Sequence, residues 1–186
     1  TVTTLFGAWK AANTLLLNNV SAADAATYSV TVSGVCGAPV TKSASLSVNE
    51  NVTFVSDPVS LTNCPGTTAS FSVTASGTGL TYQWSKDGNA LSGQTANTLV
   101  LNNVSAADAG AYSVTVSGTC GEPVSRAASL TVLENVIVVS DPISLTNCPG
   151  TTASFSVTAS GTGLAYQWSK GGNALPGQTD SSLFLN

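Results

Sequence analysis

Histidine and methionine are both absent from this chain of 186 residues, and charged side chains are scarce. Charged residues make up 8% of the sequence, against roughly 25% in an average globular protein. Without histidine, a serine nucleophile lacks its usual general base, and the cysteines lack a partner for a mixed zinc site. We therefore predict no enzymatic activity, no catalytic residue, no metal site and no cofactor.

The little charge that is present has the wrong sign for binding phosphates. Five Lys and Arg residues stand against nine Asp and Glu residues, for a net charge of −4, so we exclude nucleic acid as a partner. No apolar run approaches the roughly 20 residues that cross a bilayer, and we expect no membrane span in this stretch. The missing initiator methionine and signal pattern are what we expect of a piece of a longer, processed chain.

What the sequence has in abundance is repetition. Three pairs of landmark residues are each 84 positions apart: Cys36 and Cys120 (120 − 36), Cys64 and Cys148 (148 − 64), and Trp84 and Trp168 (168 − 84). A fixed period of this kind indicates tandem domains. We predict one complete domain over residues 51–134, the C-terminal part of a domain (strands E to G) over 1–50, and the N-terminal part (strands A to about E) over 135–186. Residues 1–9 do not match the repeat and stay unassigned.

The pattern within one repeat is that of short, half-buried strands. Ala69, Phe71 and Val73 alternate with small hydroxyl side chains, which is typical of a strand with one buried face. Further alternating segments lead to Trp84 and Tyr112, and turn sequences rich in Gly, Pro and Asn separate them. Seven or more such strands predict an all-β fold, a sandwich of two sheets.

Two motifs carry a family resemblance. Residues 84–88 (Trp-Ser-Lys-Asp-Gly) and 108–112 (Asp-Ala-Gly-Ala-Tyr) resemble the strand C tryptophan and the tyrosine corner of I-set-like immunoglobulin domains. The whole repeat is similar to the tandem immunoglobulin-like repeats of large bacterial cell-surface and secreted proteins. The resemblance implies a core that includes Trp84, Trp168, Tyr28 and Tyr112. It also implies an apolar pair, Val73 and Val114, at the positions where the family usually has its intersheet disulfide.

The four cysteines lie in turns, in Asn-Cys-Pro-Gly (Cys64, Cys148) and Gly-x-Cys-Gly (Cys36, Cys120). Their spacing does not fit zinc, and we predict disulfides in an oxidising compartment rather than free thiols. In the family's fold these turns lie at opposite ends of a sandwich, separated by about 30 Å, whereas a disulfide needs Cα atoms roughly 4.4–6.8 Å apart. We therefore predict that the Cys64-type cysteine bridges to the Cys120-type cysteine of the following domain. A bridge within one domain, through an unexpected topology, is the alternative.

The incomplete outer units allow two interpretations. In the first, the chain is a window on a continuous longer protein. In the second, the C-terminal part of one molecule and the N-terminal part of the next complete one sandwich by strand pairing. Cys148 would then bridge to Cys120 of the next chain, and Cys64 to its Cys36. Both interpretations predict head-to-tail self-association or continuity, and an extended fibre.

Surface positions suggest a second kind of contact. Leu16, Val100 and Phe184 occupy the same repeat position and are expected to face outward, so they are candidates for lateral packing. Isolated exposed apolar side chains are also commonplace.

Asp24 and Asp108 are expected to cap a turn rather than to bind a metal. Lys86 and Lys170 are expected to be solvated rather than crosslinked.

These observations favour a structural or adhesive repeat of a rigid extracellular filament or surface stalk, stiffened by inter-domain disulfides. Near-identity of the repeats argues for it, because a binding site tends to lie in the loops of one specialised unit. The alternative is a glycan-binding or protein-binding module of a secreted multidomain protein. Either function predicts a location outside the cell or at its surface.

Overall fold

The structure is a computed structural model that describes residues 13–185. The unassigned stretch 1–9 lies outside the described residues. Strands dominate, and the helices among the described residues are two 3₁₀ turns of three residues, Ala22–Asp24 and Ala106–Asp108. No helix in this part of the chain is long and apolar enough to cross a membrane. The all-β prediction is confirmed.

The first part of the chain forms an antiparallel hairpin. Strand β1 (Ala26–Val32) pairs with β2 (Val40–Leu46) along its whole length. Residues 14–17, which occupy the repeat position of residues 98–101, form no strand in the structure. Their counterpart in the next unit, residues 98–101, is a strand that pairs with residues 69–72. Within residues 13–185 no strand pairs with residues 14–17, and a strand without a partner is only marginally stable.

Residues 51–134 form a sandwich of two layers. The elements are β3 (Thr53–Ser56), β4 (Leu61–Asn63), β5 (Ala69–Ser72), β6 (Thr74–Ser76), β7 (Thr81–Lys86), β8 (Asn89–Ala90), β9 (Thr98–Leu101), β10 (Gly110–Ser117) and β11 (Val124–Val132). One layer is a five-stranded sheet in the order β4-β11-β10-β7-β8, and the other contains the pairs β3-β6 and β5-β9. The alternation in β5 and β10 places every second side chain between the layers.

The chain changes layers at Asp57-Pro58. Strand β3 pairs antiparallel with β6, whereas β4 pairs parallel with β11 in the opposite sheet. Proline has no N–H for a sheet ladder, so a strand tends to break there, and Pro58 is buried at the crossing. Arg126 of β11 fixes the crossing from outside, since its Nε lies 3.0 Å from Asp57 Oδ1 and its guanidinium lies 5.0 Å from the Phe54 ring centroid.

The core is centred on Trp84, which is fully buried. The ring of Phe71 lies between two aromatic neighbours, with centroids 6.1 Å from Trp84 and 5.0 Å from Tyr112. The Trp84 indole Nε1–H donates to the Ala96 carbonyl at 2.9 Å, so burial leaves no donor without an acceptor. Val73 and Val114 are buried beside this cluster.

The last part of the chain repeats the first half of the sandwich. It contains β12 (Ile137–Ser140), β13 (Ala153–Ser156), β14 (Thr158–Ser160), β15 (Ser169–Lys170), β16 (Asn173–Ala174) and β17 (Ser182–Leu185). The pairs β12-β14 and β13-β17 reproduce β3-β6 and β5-β9. Strand β15 has two residues, whereas its counterpart β7 pairs with β10 along six residues.

Candidate inter-domain junction

The connection between the first hairpin and the sandwich is held by reciprocal hydrogen bonds. The Glu50 N–H donates to the Thr78 hydroxyl oxygen at 2.9 Å, and the Thr78 N–H donates to the Glu50 carbonyl at 3.2 Å. Thr78 lies in the turn between β6 and β7, at the end of the sandwich that faces the preceding unit. Because the N–H and the C=O of Glu50 are both hydrogen-bonded, the connecting segment has little conformational freedom.

The next connection has the same arrangement. The Glu134 N–H donates to the Thr162 hydroxyl at 2.9 Å, and the Thr162 N–H donates to the Glu134 carbonyl at 3.2 Å. Two junctions therefore use the same pair of residue types with the same distances. The recurrence indicates that the contact belongs to the repeat.

Glycines allow the connection to lie close against the sandwich. A Cβ on Gly77 would lie 3.0 Å from the Asn51 carbonyl oxygen, and one on Gly118 would lie 2.9 Å from Val52 Cγ2. Gly77 also has a φ of +143°, which L side chains rarely adopt. Asn51 forms an isolated parallel β-bridge with Cys120. The cysteine of the β10–β11 turn is thus fixed beside the connection.

An open groove of about 690 Å³ lies at this junction. The segment that leads into the first 3₁₀ turn contributes Val20 to Ala22, and the sandwich contributes Asn51, Ser76 and Cys120. Cys120 is half-buried on its wall. The groove therefore brings together one predicted disulfide cysteine and the turn of the preceding unit.

The opposite end of the sandwich contains the other cysteine turn. The Gly66 N–H donates to the Val104 carbonyl at 2.8 Å, and the Val104 N–H donates to the Thr67 carbonyl at 2.9 Å. These bonds seat the Asn-Cys-Pro-Gly turn of Cys64 against the segment that leads into the second 3₁₀ turn. Cys64 and Cys120 therefore belong to turns at different ends of β10.

Asp108 stabilises the corner at this end. Its Oδ2 accepts hydrogen bonds from the Ser105 N–H and hydroxyl, both at 2.8 Å, and the Tyr112 hydroxyl donates to its carbonyl at 2.8 Å. The donors of Ser105 hold the pKa of the Asp108 carboxyl below its usual value. Burial raises the pKa of Tyr112. Asp24 has the same contacts with Ser21 and a lowered pKa.

Asp87 belongs to the motif of residues 84–88, but its structural role is not evident from the sequence. Its carboxylate accepts hydrogen bonds from Lys86 Nζ at 2.8 Å and from the Ala111 N–H at 2.9 Å. Both donors lower the pKa of Asp87, and Lys86 has the larger effect. A Cβ on Gly110 would lie 2.7 Å from the Asp87 carboxylate. The contact of Asp87 with Gly110 and Ala111 thus joins the start of β10 to the β7–β8 turn. The next unit has Gly171 at the Asp87 position, so this side-chain contact is not repeated there.

The four cysteines form no disulfide with one another among residues 13–185. Cys36, Cys64 and Cys148 are exposed. Cys64 and Cys120 therefore do not form the alternative bridge within one domain. The predicted inter-domain partner of Cys64 would be at position 204 (120 + 84) of the repeat, beyond this sequence.

The other predicted site residues divide by unit. Trp84, Tyr112, Val73 and Val114 are buried in the complete sandwich. Tyr28 and Trp168, in the outer units, are only half-buried. Tyr28 has no opposing layer among the described residues, whereas Trp168 still contacts Phe155 of the opposing layer at a centroid distance of 6.4 Å. The predicted lateral contacts are exposed, at 75% for Leu16, 49% for Val100 and 65% for Phe184.

The family model of the immunoglobulin domain matches residues 38–132, and the chain belongs to this family. Among solved structures it is similar to an I-band fragment of titin, with 20% identity over 89% of the chain and a TM-score of 0.63. It is also similar to immunoglobulin domains 1–5 of Sidekick-1, with 22% identity over 83% of the chain and a TM-score of 0.57. Extracellular domains 3–5 of Drosophila OTK match at 23% identity over 89%, with a TM-score of 0.53.

The chain spans 65% of the titin fragment, 37% of the Sidekick-1 structure and 62% of the OTK structure. At these identities the likeness concerns the fold, in multidomain arrays of immunoglobulin domains.

Proposed function

We propose that this chain is a structural repeat of a rigid extracellular filament or surface stalk. The observation that carries the proposal is the reciprocal hydrogen bonding of Glu50 with Thr78, which recurs between Glu134 and Thr162. A ligand-binding module has no need of the same stiff connection at successive junctions. A protein that transmits force or keeps a fixed length needs such a connection at every junction.

Cystines between consecutive domains complete the proposed mechanism. The turn of Cys64 lies at the end of its sandwich where β10 begins, and Cys120 lies at the end that faces the preceding unit. In a head-to-tail row each Asn-Cys-Pro-Gly turn therefore faces the β10–β11 turn of the following domain. A cystine there would add a covalent link beside the connection, in an oxidising compartment outside the cell.

The surface supports a mechanical role rather than catalysis. Strands β5, β10 and β11 present small hydroxyl side chains outward, with few charges among them. Such a surface is suited to close lateral packing, in which the exposed Leu16, Val100 and Phe184 would take part. Tandem domains of this composition also fit the large surface proteins of bacteria that the sequence resembles.

Electron microscopy of the native material tests the proposed function. We expect straight, uniform rods that become flexible when a reductant is added, because the reductant removes the cystines and leaves the hydrogen bonds. Monodisperse monomers that bind a polysaccharide or a protein ligand would contradict the proposal. They would favour the binding module instead.

A further inference from the structure

The two copies of the first half of the repeat differ mainly in one short segment. Residues 51–102 and 135–186 have the same length and differ at ten positions. Five of the ten lie within the nine residues 92–100, and the other five are spread over the remaining 43 (52 − 9). The five pairs in the segment are Ser92 and Pro176, Ala96 and Asp180, Asn97 and Ser181, Thr98 and Ser182, and Val100 and Phe184. We call residues 92–100 and 176–184 the variable segments.

Exposure alone does not account for this concentration. Residues 60–76 are identical to 144–160 at all 17 positions, although Ser72, Thr74 and Ser76 are exposed. A surface without any specific role would accumulate differences at all its exposed positions alike. The variable segment therefore differs from the rest of the surface in more than its contact with water.

The backbone of the variable segment is fixed to the core. The Gln94 and Ala96 carbonyls accept hydrogen bonds from the N–H of Trp84 at 3.0 Å and from its indole Nε1–H at 2.9 Å. The Asn97 carbonyl accepts from the Val73 N–H at 3.0 Å. The corresponding carbonyls of the last unit accept the same three hydrogen bonds at the same distances. The segment thus keeps its backbone contacts while its side chains change.

The side chains of the segment are available to a ligand in the complete sandwich. Gln94, Thr95, Ala96 and Asn97 are exposed with both layers of the sandwich present, and Val100 is 49% exposed. Exposed side chains that change on a backbone that does not are the arrangement of a recognition surface on a rigid scaffold.

The chemistry of the segments fits a neutral sugar polymer. The segment of the central sandwich has no ionisable side chain, and its amides and hydroxyls both donate and accept hydrogen bonds, as sugar hydroxyls do. In the last unit Phe184 replaces Val100, is 65% exposed, and lies opposite Ser154 on the outer face of its strand pair. An exposed aromatic ring beside hydroxyl groups offers a surface on which the C–H face of a sugar ring can stack. The net charge of −4 disfavours an anionic polymer.

We propose that the variable segments bind a neutral polysaccharide, with Phe184 stacked on a sugar ring and the neighbouring amides and hydroxyls bonded to its hydroxyl groups. Because the side chains differ between units, each unit has its own preference along the polymer. The inference goes beyond the proposed function, since a rod with fixed spacing presents such sites in series to an extended ligand. A lateral neighbour and the polysaccharide compete for Phe184.

Exchange of the segment between units tests the proposal. The graft gives the central sandwich the side chains of the last unit, through Ser92→Pro, Ala96→Asp, Asn97→Ser, Thr98→Ser and Val100→Phe. The matched control exchanges differing positions outside the segment, through Thr53→Ile, Val59→Ile and Thr81→Ala. Each substitution introduces the residue that the next repeat has at that position, so both chains are expected to fold, and circular dichroism checks this.

Affinity electrophoresis measures binding, in separate gels that contain a mixed-linkage β-glucan, a galactomannan or amylopectin. In at least one gel, Phe184→Val is expected to lower the apparent affinity by roughly tenfold, because it removes the stacking ring. The graft has two aromatic sites in one chain and is expected to raise the affinity by at least roughly tenfold. The control is expected to migrate like the unsubstituted chain.

Equal migration of all four chains in every gel would overturn the inference. So would a graft that associates with itself in sedimentation velocity while its affinity for the polysaccharide stays unchanged, because the segment would then be a contact between copies. Both results leave the straight rods of the proposed function intact. Flexible chains in micrographs that still bind the polysaccharide through Phe184 would instead overturn the rod and support the inference.

Discussion

Thr78 and Glu50 lie 28 positions apart in the sequence, and each donates a backbone N–H to the other. The pair ties the connection between two units to the turn of the unit that follows. Because both contacts are formed by backbone N–H groups, only the Thr78 hydroxyl can be removed by substitution. That hydroxyl is the point at which the junction can be tested without disturbing the core.

Thr78→Val is expected to loosen the junction while leaving the sandwich folded. The substitution preserves shape and removes one hydrogen bond, which lowers the free energy of unfolding by about 1 kcal/mol. NMR relaxation is expected to show larger internal motion of residues 47–52 in the variant. Thr78→Ser retains the hydroxyl and is the control. Equal mobility in all three proteins would show that the hydrogen bond does not restrain the connection.

Gly77→Ala is expected to destabilise the sandwich more than Gly93→Ala. Both glycines have positive φ, +143° and +76°, but only Gly77 approaches the connection, whereas a Cβ on Gly93 would have nothing within 4 Å. The backbone strain costs on the order of 1–3 kcal/mol at Gly77, and the contact with Asn51 adds to it. Urea unfolding measures the difference. A smaller loss at Gly77 than at Gly93 would contradict the close packing of the connection.

Val114→Ala and Val30→Ala form a matched pair at one repeat position. Val114 is buried, and its truncation is expected to cost about 2 kcal/mol of stability at any protein concentration. Val30 is exposed in the isolated chain, so its truncation is expected to cost little in dilute solution. Urea unfolding of both variants measures the two losses. A loss at Val30 as large as that at Val114 would contradict the difference in burial between the two positions.

Asp108→Asn is expected to weaken the dependence of the free energy of unfolding on pH in the acid range. The donors of Ser105 lower the pKa of Asp108 in the folded chain, so the carboxylate stabilises the fold above its unfolded pKa of about 3.9. That contribution is lost as the pH falls through the lower, folded pKa. The variant is expected to have a lower free energy of unfolding at pH 7, and that free energy is expected to fall less on acidification than in the unsubstituted chain. Urea unfolding at neutral and acid pH measures both values, and identical curves would argue against the capping role.

The tyrosine corner and the core were accessible from the sequence because their signals are local. The alternation around Phe71, the Trp84 motif and the Asp108–Tyr112 motif each lie within a few residues. The contacts of Thr78 and Asp87 join residues 28 and 24 positions apart, and their turns resemble any other Gly-rich turn. The parallel pairing of β4 with β11 is likewise nonlocal. Residues 14–17 have a strand pattern but pair with no strand among residues 13–185.

Cryo-electron microscopy of the native protein tests the central claim most directly. We predict straight rods in which consecutive sandwiches keep one orientation, with density joining Cys120 to the Asn-Cys-Pro-Gly turn of the preceding domain. Neighbouring domains that adopt many orientations, or a cystine with both sulfurs inside one sandwich, would contradict it.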